Sequence, residues 1–146
     1  MKKKIIIING PNLNFIGKRE PILYGNISFE DFLKKLIKKY INIDIKYFQT
    51  NSEEKIINFL QKEELYNDNK KNKIILLNAG AFSHTSLAIH DAIKSININV
   101  IEIHITNIFS REKIRNKSII SPACKGIICG FGLKSYELAI NYFLLI

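Results

Sequence analysis

Ile5-Ile6-Ile7-Ile8 runs directly into Asn9-Gly10-Pro11-Asn12-Leu13-Asn14, then into Gly17-Lys18-Arg19-Glu20-Pro21 and Tyr24-Gly25. Four β-branched residues that stop at Asn-Gly-Pro read as a buried strand entering a loop. Ligands of open α/β sheets bind outside the carboxyl ends of such strands. A loop from Asn9 to Gly25 with no secondary structure of its own is long for a compact domain, and loops of that kind are usually functional or disordered. Amides, an arginine and a tyrosine set between glycines and prolines favour function.

Working outward, strand and helix patterns alternate. Ser28 with Asp31 three residues on resembles a capping box, and Phe29, Phe32, Leu33, Leu36, Ile37 and Tyr40 recur at helical spacing. Ile43 to Phe48 reads as a second strand. Glu53 to Leu65 reads as a second helix, with Ile56, Ile57, Phe59 and Leu60 on its apolar side. Tyr66 to Lys73 reads as a polar, exposed and mobile connector. A third strand, Lys73 to Asn78, ends at Asn78-Ala79-Gly80-Ala81, and a helix follows from Ser86 to Lys94. Ile98 to Ile105 is a fourth strand and Thr106 to Pro122 a polar loop. Gly126 to Cys129 is a fifth strand, and a closing helix covers Leu133 to Leu144. Such alternation predicts a doubly wound parallel sheet with helices on both faces. Right-handed crossovers make the flavodoxin-like order 2-1-3-4-5 the expected one. The 146 residues fit a single domain, 1–146.

Composition narrows the function classes. No apolar run approaches the roughly 20 residues of a membrane span. Met1-Lys2-Lys3-Lys4 before Ile5 lacks the apolar length and cleavage site of a signal peptide, so a cytoplasmic protein is expected. Cys124 and Cys129, with His84, His90 and His104 elsewhere, do not have zinc-ligand spacing, and no metal is expected. The net charge is +9, but the lysines are dispersed and no nucleic-acid motif accompanies them. A basic site for an anionic small molecule accounts for part of that charge.

Polar residues cluster after the apolar strands: Asn12, Arg19 and Tyr24; Asn78, Gly80 and His84; Glu102, His104 and Thr106; then Arg115. Strand carboxyl ends would bring these distant positions into one crevice. Singly, each has an ordinary structural explanation: a tyrosine covering the core, a solvated arginine, a histidine near a helix cap. In Ile101-Glu102-Ile103-His104-Ile105, alternation puts Glu102 and His104 on one face and three isoleucines on the other. A carboxylate that meets an imidazole favours its protonated form.

In combination the chain resembles the type II 3-dehydroquinate dehydratases. The matching segments are Asn9 to Leu13, Gly17 to Pro21, Tyr24-Gly25, Phe48-Gln49, Asn78 to Ala81, His84-Thr85-Ser86, Asp91-Ala92, Glu102-Ile103-His104, Asn107, Arg111-Glu112, Arg115, Ser118 and Gly130-Phe131-Gly132, in order along nearly the whole chain to Tyr136. The resemblance implies anti elimination of water from 3-dehydroquinate through an enolate, in the shikimate pathway, without cofactor or metal. It implies Tyr24 as base, Arg19 as the group that holds it ionised, and His104 as acid supported by Glu102. Asn12 would place a water or donor at the enolate oxygen. Asn78, Gly80, His84, Asp91, Ile105, Thr106 and Arg115 would bind substrate. It further implies a homo-oligomer, a dodecamer assembled from trimers, with neither nucleic acid nor membrane as partner.

The sizes are compatible. Ionising a tyrosine near neutral pH needs roughly 4 kcal/mol. One guanidinium about 4 Å away supplies on the order of 4 kcal/mol at an effective dielectric near 20, and Arg115 would add margin. The sequence departs from the family pattern at Thr106, where serine is common, at Thr50 to Glu54, and at Asn116-Lys117. None of these is the acid or the base. Two other readings compete: a flavin- or phosphate-binding protein, and a basic interaction protein. Against the first, the loop after Ile8 is no glycine-rich phosphate cradle and the chain has no tryptophan to stack on a flavin. Against the second stands the scatter of the lysines.

Overall fold

A computed structural model describes residues 2–66 and 69–146. Five strands form one parallel sheet in the order β2-β1-β3-β4-β5: β1 Lys3–Asn9, β2 Ile43–Gln49, β3 Lys73–Asn78, β4 Asn99–His104 and β5 Gly126–Cys129. The helices are α1 Pro21–Tyr24, α2 Phe29–Lys39, α3 Glu53–Leu65, α4 Leu87–Lys94 and α5 Lys134–Leu145. The expected topology is therefore the observed one. Parallel strands are flanked on both faces, which is why β1 and β3 read as continuous apolar runs.

Alternation divides each strand between two cores. Ile5, Ile7, Ile74, Leu76, Ile101 and Ile103 pack under α2 and α5, against Phe29, Phe32, Tyr136 and Ile140. Ile6, Ile8, Ile75, Leu77 and Val100 pack under α3 and α4, against Ile56, Leu60, Ile89 and Ile93. Serine hydroxyls start three of the helices: Ser28, Ser52 and Ser86 accept from the amides of Asp31, Lys55 and Ile89.

Three local expectations need correction. The segment after β1 is not structureless: it holds a 3-10 turn at Leu13–Phe15 and the single helical turn α1. Pro21 has the φ a helix start requires, and Gly25, at φ 86°, ends the turn. The polar loop after β4 likewise contains 3-10 turns at Ile108–Ser110, Lys113–Arg115 and Ser121–Ala123. In the connector after α3, residues 67–68 lie outside the described set, Lys70–Asn72 forms a 3-10 turn, and Lys73 is buried as the first residue of β3.

Lys73 is tolerated there because its Nζ donates to Glu63 Oε2 at 2.8 Å and to the Glu63 carbonyl at 3.1 Å. Lys46 also pairs with Glu63. Burial works against the charge of Glu63, but hydrogen bonds from Lys46 and Lys73 outweigh it and hold the carboxyl below its usual range. Removing one partner of a buried pair leaves an uncompensated charge. Glu63→Ala is expected to cost about 3–5 kcal/mol in urea unfolding, with Glu63→Leu/Lys73→Met recovering most of it. Because the folded value is depressed, the pair stabilises above the ordinary carboxyl value of 4.5, and that part is lost as pH falls through the folded value. Glu63→Gln should flatten the acid side of the stability profile; an unchanged profile would remove the pair from the account.

Candidate active site

The carboxyl ends of β1, β3 and β4 open into one cavity, lined among others by Asn12, Arg19, Tyr24, Asn78, His84, His104 and Arg115. β1 and β3 are in register, Asn9 opposite Asn78, so both strands end at the cavity floor. Gly10 follows at once, and a Cβ there would meet the Ala79 carbonyl oxygen at 2.6 Å, so only glycine lets the two turns approach this closely.

Tyr24 is brought over the cavity by α1 and is buried. Two guanidinium groups reach its hydroxyl: Arg111 Nη1 donates at 2.8 Å and Arg19 Nη2 at 3.4 Å. The Arg19 guanidinium also lies 4.6 Å from the tyrosine ring centre, and that of Arg111 5.6 Å. The second cation at the phenol is thus Arg111, not Arg115. Arg115 lines the cavity, with its Nε 3.2 Å from Glu112 Oε2. Arg111 also donates to Thr106 Oγ1 at 3.5 Å, so Thr106 joins the same cluster.

His104 closes β4. Its Nε2 lies 2.5 Å from Glu102 Oε1, on the face that β-alternation assigned to both, while Ile101, Ile103 and Ile105 pack in the opposite core. Glu102 has no exposure and stands behind His104, outside the cavity lining. Ser118 donates to Glu102 Oε1 at 2.6 Å and Ser121 to Oε2. Burial opposes the charge on Glu102, but hydrogen bonding and charge attraction from His104 and the two serine donors prevail, so its carboxyl lies below the usual range. Among the described residues His104 Nδ1 has no partner, which leaves it for a ligand.

The His84 ring stacks 6.0 Å from that of His104. Its Nδ1 is 2.7 Å from the Lys117 carbonyl oxygen, an acceptor, so Nδ1 carries the proton. Burial, with the charges of His104 and Arg115, pushes the His84 imidazole below its ordinary value despite that carbonyl and Glu102. A neutral ring with Nδ1 protonated offers Nε2 as an acceptor for a hydroxyl.

Asn12 lines the cavity in a left-handed conformation, φ 68°, which asparagine tolerates. Gly80 and Ile105 line it as well. Asp91 does not join them. The buried face of α4 is Ile89, Ala92 and Ile93, which turns Asp91 outward, where its carboxylate is exposed beside His90 Nδ1 at 3.0 Å. Among the described residues no group of three or more His, Cys, Asp or Glu side chains is placed to hold a metal ion, and no helix is long and apolar enough to cross a membrane.

Comparison with known proteins places this geometry in a family. The family model described as Dehydroquinase class II matches residues 3–144. The 3-dehydroquinate dehydratase of Clostridium acetobutylicum is 51% identical over 141 residues, covering 94% of each chain. That of Caldicellulosiruptor bescii is 47% identical over 140 residues, again 94% of each. The crystal structure of the type II dehydroquinase from Propionibacterium acnes superposes with a TM-score of 0.91 at 36% identity, covering 100% of this chain and 99% of that one.

The clamp on Glu102 makes the loop after β4 part of the site's support. Ser118→Ala and Ser121→Ala, each removing a donor to a buried carboxylate, are expected to lower stability by about 1–3 kcal/mol apiece in urea unfolding. The exposed Ser110→Ala should stay within about 0.5 kcal/mol. Equal effects at all three positions would show that the buried contacts carry no special weight.

Proposed function

The chain belongs to the class II dehydroquinases, and we propose that Tyr24 and His104 act as base and acid in its reaction. That reaction is the dehydration of 3-dehydroquinate to 3-dehydroshikimate, a step of the shikimate pathway. The observation that carries the assignment is the Tyr24 hydroxyl held by two guanidinium groups at the mouth of a cavity that also contains His104.

In this reading the Tyr24 phenolate takes a proton from the carbon beside the ketone, and the C–H electron pair becomes the enolate. Arg19 and Arg111 compensate the charge the phenolate carries; at 3–4 Å each is worth on the order of 4 kcal/mol at an effective dielectric near 20. The enolate then re-forms the ketone and expels the hydroxyl on the adjacent carbon. His104 supplies a proton to that oxygen, which leaves as water, and Glu102 balances the imidazolium. The net change is loss of H from one carbon and OH from the next. Tyr24 ends protonated and His104 neutral, and a proton passed from one to the other through water resets the site.

Substrate contacts follow from the donor and acceptor inventory. The His84 imidazole, neutral with Nε2 free, would accept from a substrate hydroxyl. Thr106 with the backbone at Ile105, together with Arg115, would hold the carboxylate, and Asn78 and Gly80 would face oxygens borne by the ring. Asn12 would place a water at the enolate oxygen. The proposal extends to a cytoplasmic dodecamer assembled from trimers, in which the exposed Leu87 and Ile114 are available for subunit contacts and Asp91 faces a neighbouring chain.

Mixing the protein with 3-dehydroquinate should generate the ultraviolet absorbance of a conjugated enone. Tyr24→Phe keeps the buried ring, so unfolding should change little while turnover falls by orders of magnitude. Activity within about tenfold of the parent would rule Tyr24 out as base.

Arg111→Lys keeps a charge but loses the planar fork that meets both Tyr24 and Thr106. Turnover should fall by more than about tenfold. A raised KM with unchanged kcat would make Arg111 a binding residue only.

A further inference from the structure

Beneath the cavity a chain of three buried polar side chains joins both strand ends to α5. Asn78 Nδ2 donates to Tyr136 Oη at 3.0 Å, and Tyr136 Oη donates to Asn9 Oδ1 at 2.7 Å. Tyr136 has no exposure, and its ring is fixed against Phe29, with centres 5.1 Å apart, and Phe32, at 6.0 Å. Burial pushes its hydroxyl far above the ordinary tyrosine value, so it remains a neutral donor and acceptor.

The directions of these bonds are forced. The Gly80 amide can only donate, and it meets Asn78 Oδ1 at 3.2 Å, so the other end of that side chain is the NH₂ group. Tyr136 must then accept from Asn78, and its single proton goes to Asn9. The other end of the Asn9 side chain, Nδ2, is left to face the buried Tyr47 hydroxyl. One N–H of Asn78 is engaged by Tyr136, and its second is free on a residue that lines the cavity. We propose that Tyr136 is a positioning residue that makes Asn78 present a donor, and not an acceptor, to a substrate oxygen. Without the phenol hydroxyl, only the Gly80 amide would oppose rotation of the Asn78 amide. The proposal rests on the cavity being the substrate site.

Tyr136→Phe keeps the ring and its packing. KM for 3-dehydroquinate is expected to rise about tenfold, the worth of one well-placed buried hydrogen bond, with a smaller change in kcat. In an Asn78→Ala background the same substitution should leave KM unchanged, because the group it acts through is gone. A lower melting temperature with unaltered KM, or equal KM effects in both backgrounds, would overturn the proposal. If Tyr136→Phe does not fold, Asn9→Leu provides the second arm. Without the Asn9 acceptor the Tyr136 proton is free to turn towards Asn78, so KM should rise in the same way, and an unchanged KM would overturn the idea. Hydrogen exchange of the Asn78 side-chain amide, followed by NMR, is independent of turnover. Its protection should be lost in Tyr136→Phe, and retained protection would count against positioning. A wild-type protein that gave no enone would refute the dehydratase reading, while the exchange result still judged Tyr136.

Discussion

Parallel, in-register pairing of β1 with β3, which sets Asn9 opposite Asn78, is the constraint on which the site depends. It is locked at its end by the Gly10 amide donating to the Asn78 carbonyl at 2.7 Å, while on the other side of β1 the Thr50 amide, just past β2, donates to the Asn9 carbonyl at 3.0 Å. A slip of one residue would send every side chain of β1 to the other face and exchange the contents of the two cores. The same slip would carry Asn9 away from Tyr136 and separate the turns that bear Asn12 and Gly80. Apolar burial of strands by helices on both sheet faces makes such a slip costly, so the packing that stabilises the fold also aligns the strand ends.

Onto that alignment the chain places charge asymmetrically. Arg19, Arg111 and Arg115 gather around the cavity, whereas the carboxylate that faces His104 is buried behind it and held by serine hydroxyls. Cations at the open side suit an anionic substrate and a phenolate base. A buried anion behind an imidazole suits a proton donor. The segment after β4 serves both sides, since it carries Arg111 to Tyr24, Ser118 and Ser121 to Glu102, and the Lys117 carbonyl to His84.

Sheet order and strand ends were legible because parallel strands buried on both faces leave continuous apolar runs, and because serine caps precede the helices. That Glu102 and His104 share a face was legible through β-alternation, and the family resemblance marked them as site residues. Tyr24, Arg19, Asn12, His84 and Thr106 were picked out by their position after strands and by the family resemblance, and the structure brings them to one cavity. Arg111 was not distinguished from Arg115, because periodicity does not reach into a loop of successive 3-10 turns. Asp91 sits in a matching segment, yet α4 turns it away from the cavity of its own chain. Lys73 at the end of a polar stretch reads as exposed; its burial depends on Glu63, ten residues earlier on a helix, and only the packing of α3 against the sheet reveals that partner.

The central claim is that base and acid act on opposite faces of one substrate. It is tested most directly with 3-dehydroquinate stereospecifically deuterated at either hydrogen of the carbon beside the ketone. Label on the face opposite the departing hydroxyl should be lost to solvent, and label on the same face should remain in the enone. Retention of the opposite-face label with loss of the same-face one would contradict the assignment of Tyr24 and His104 to opposite faces.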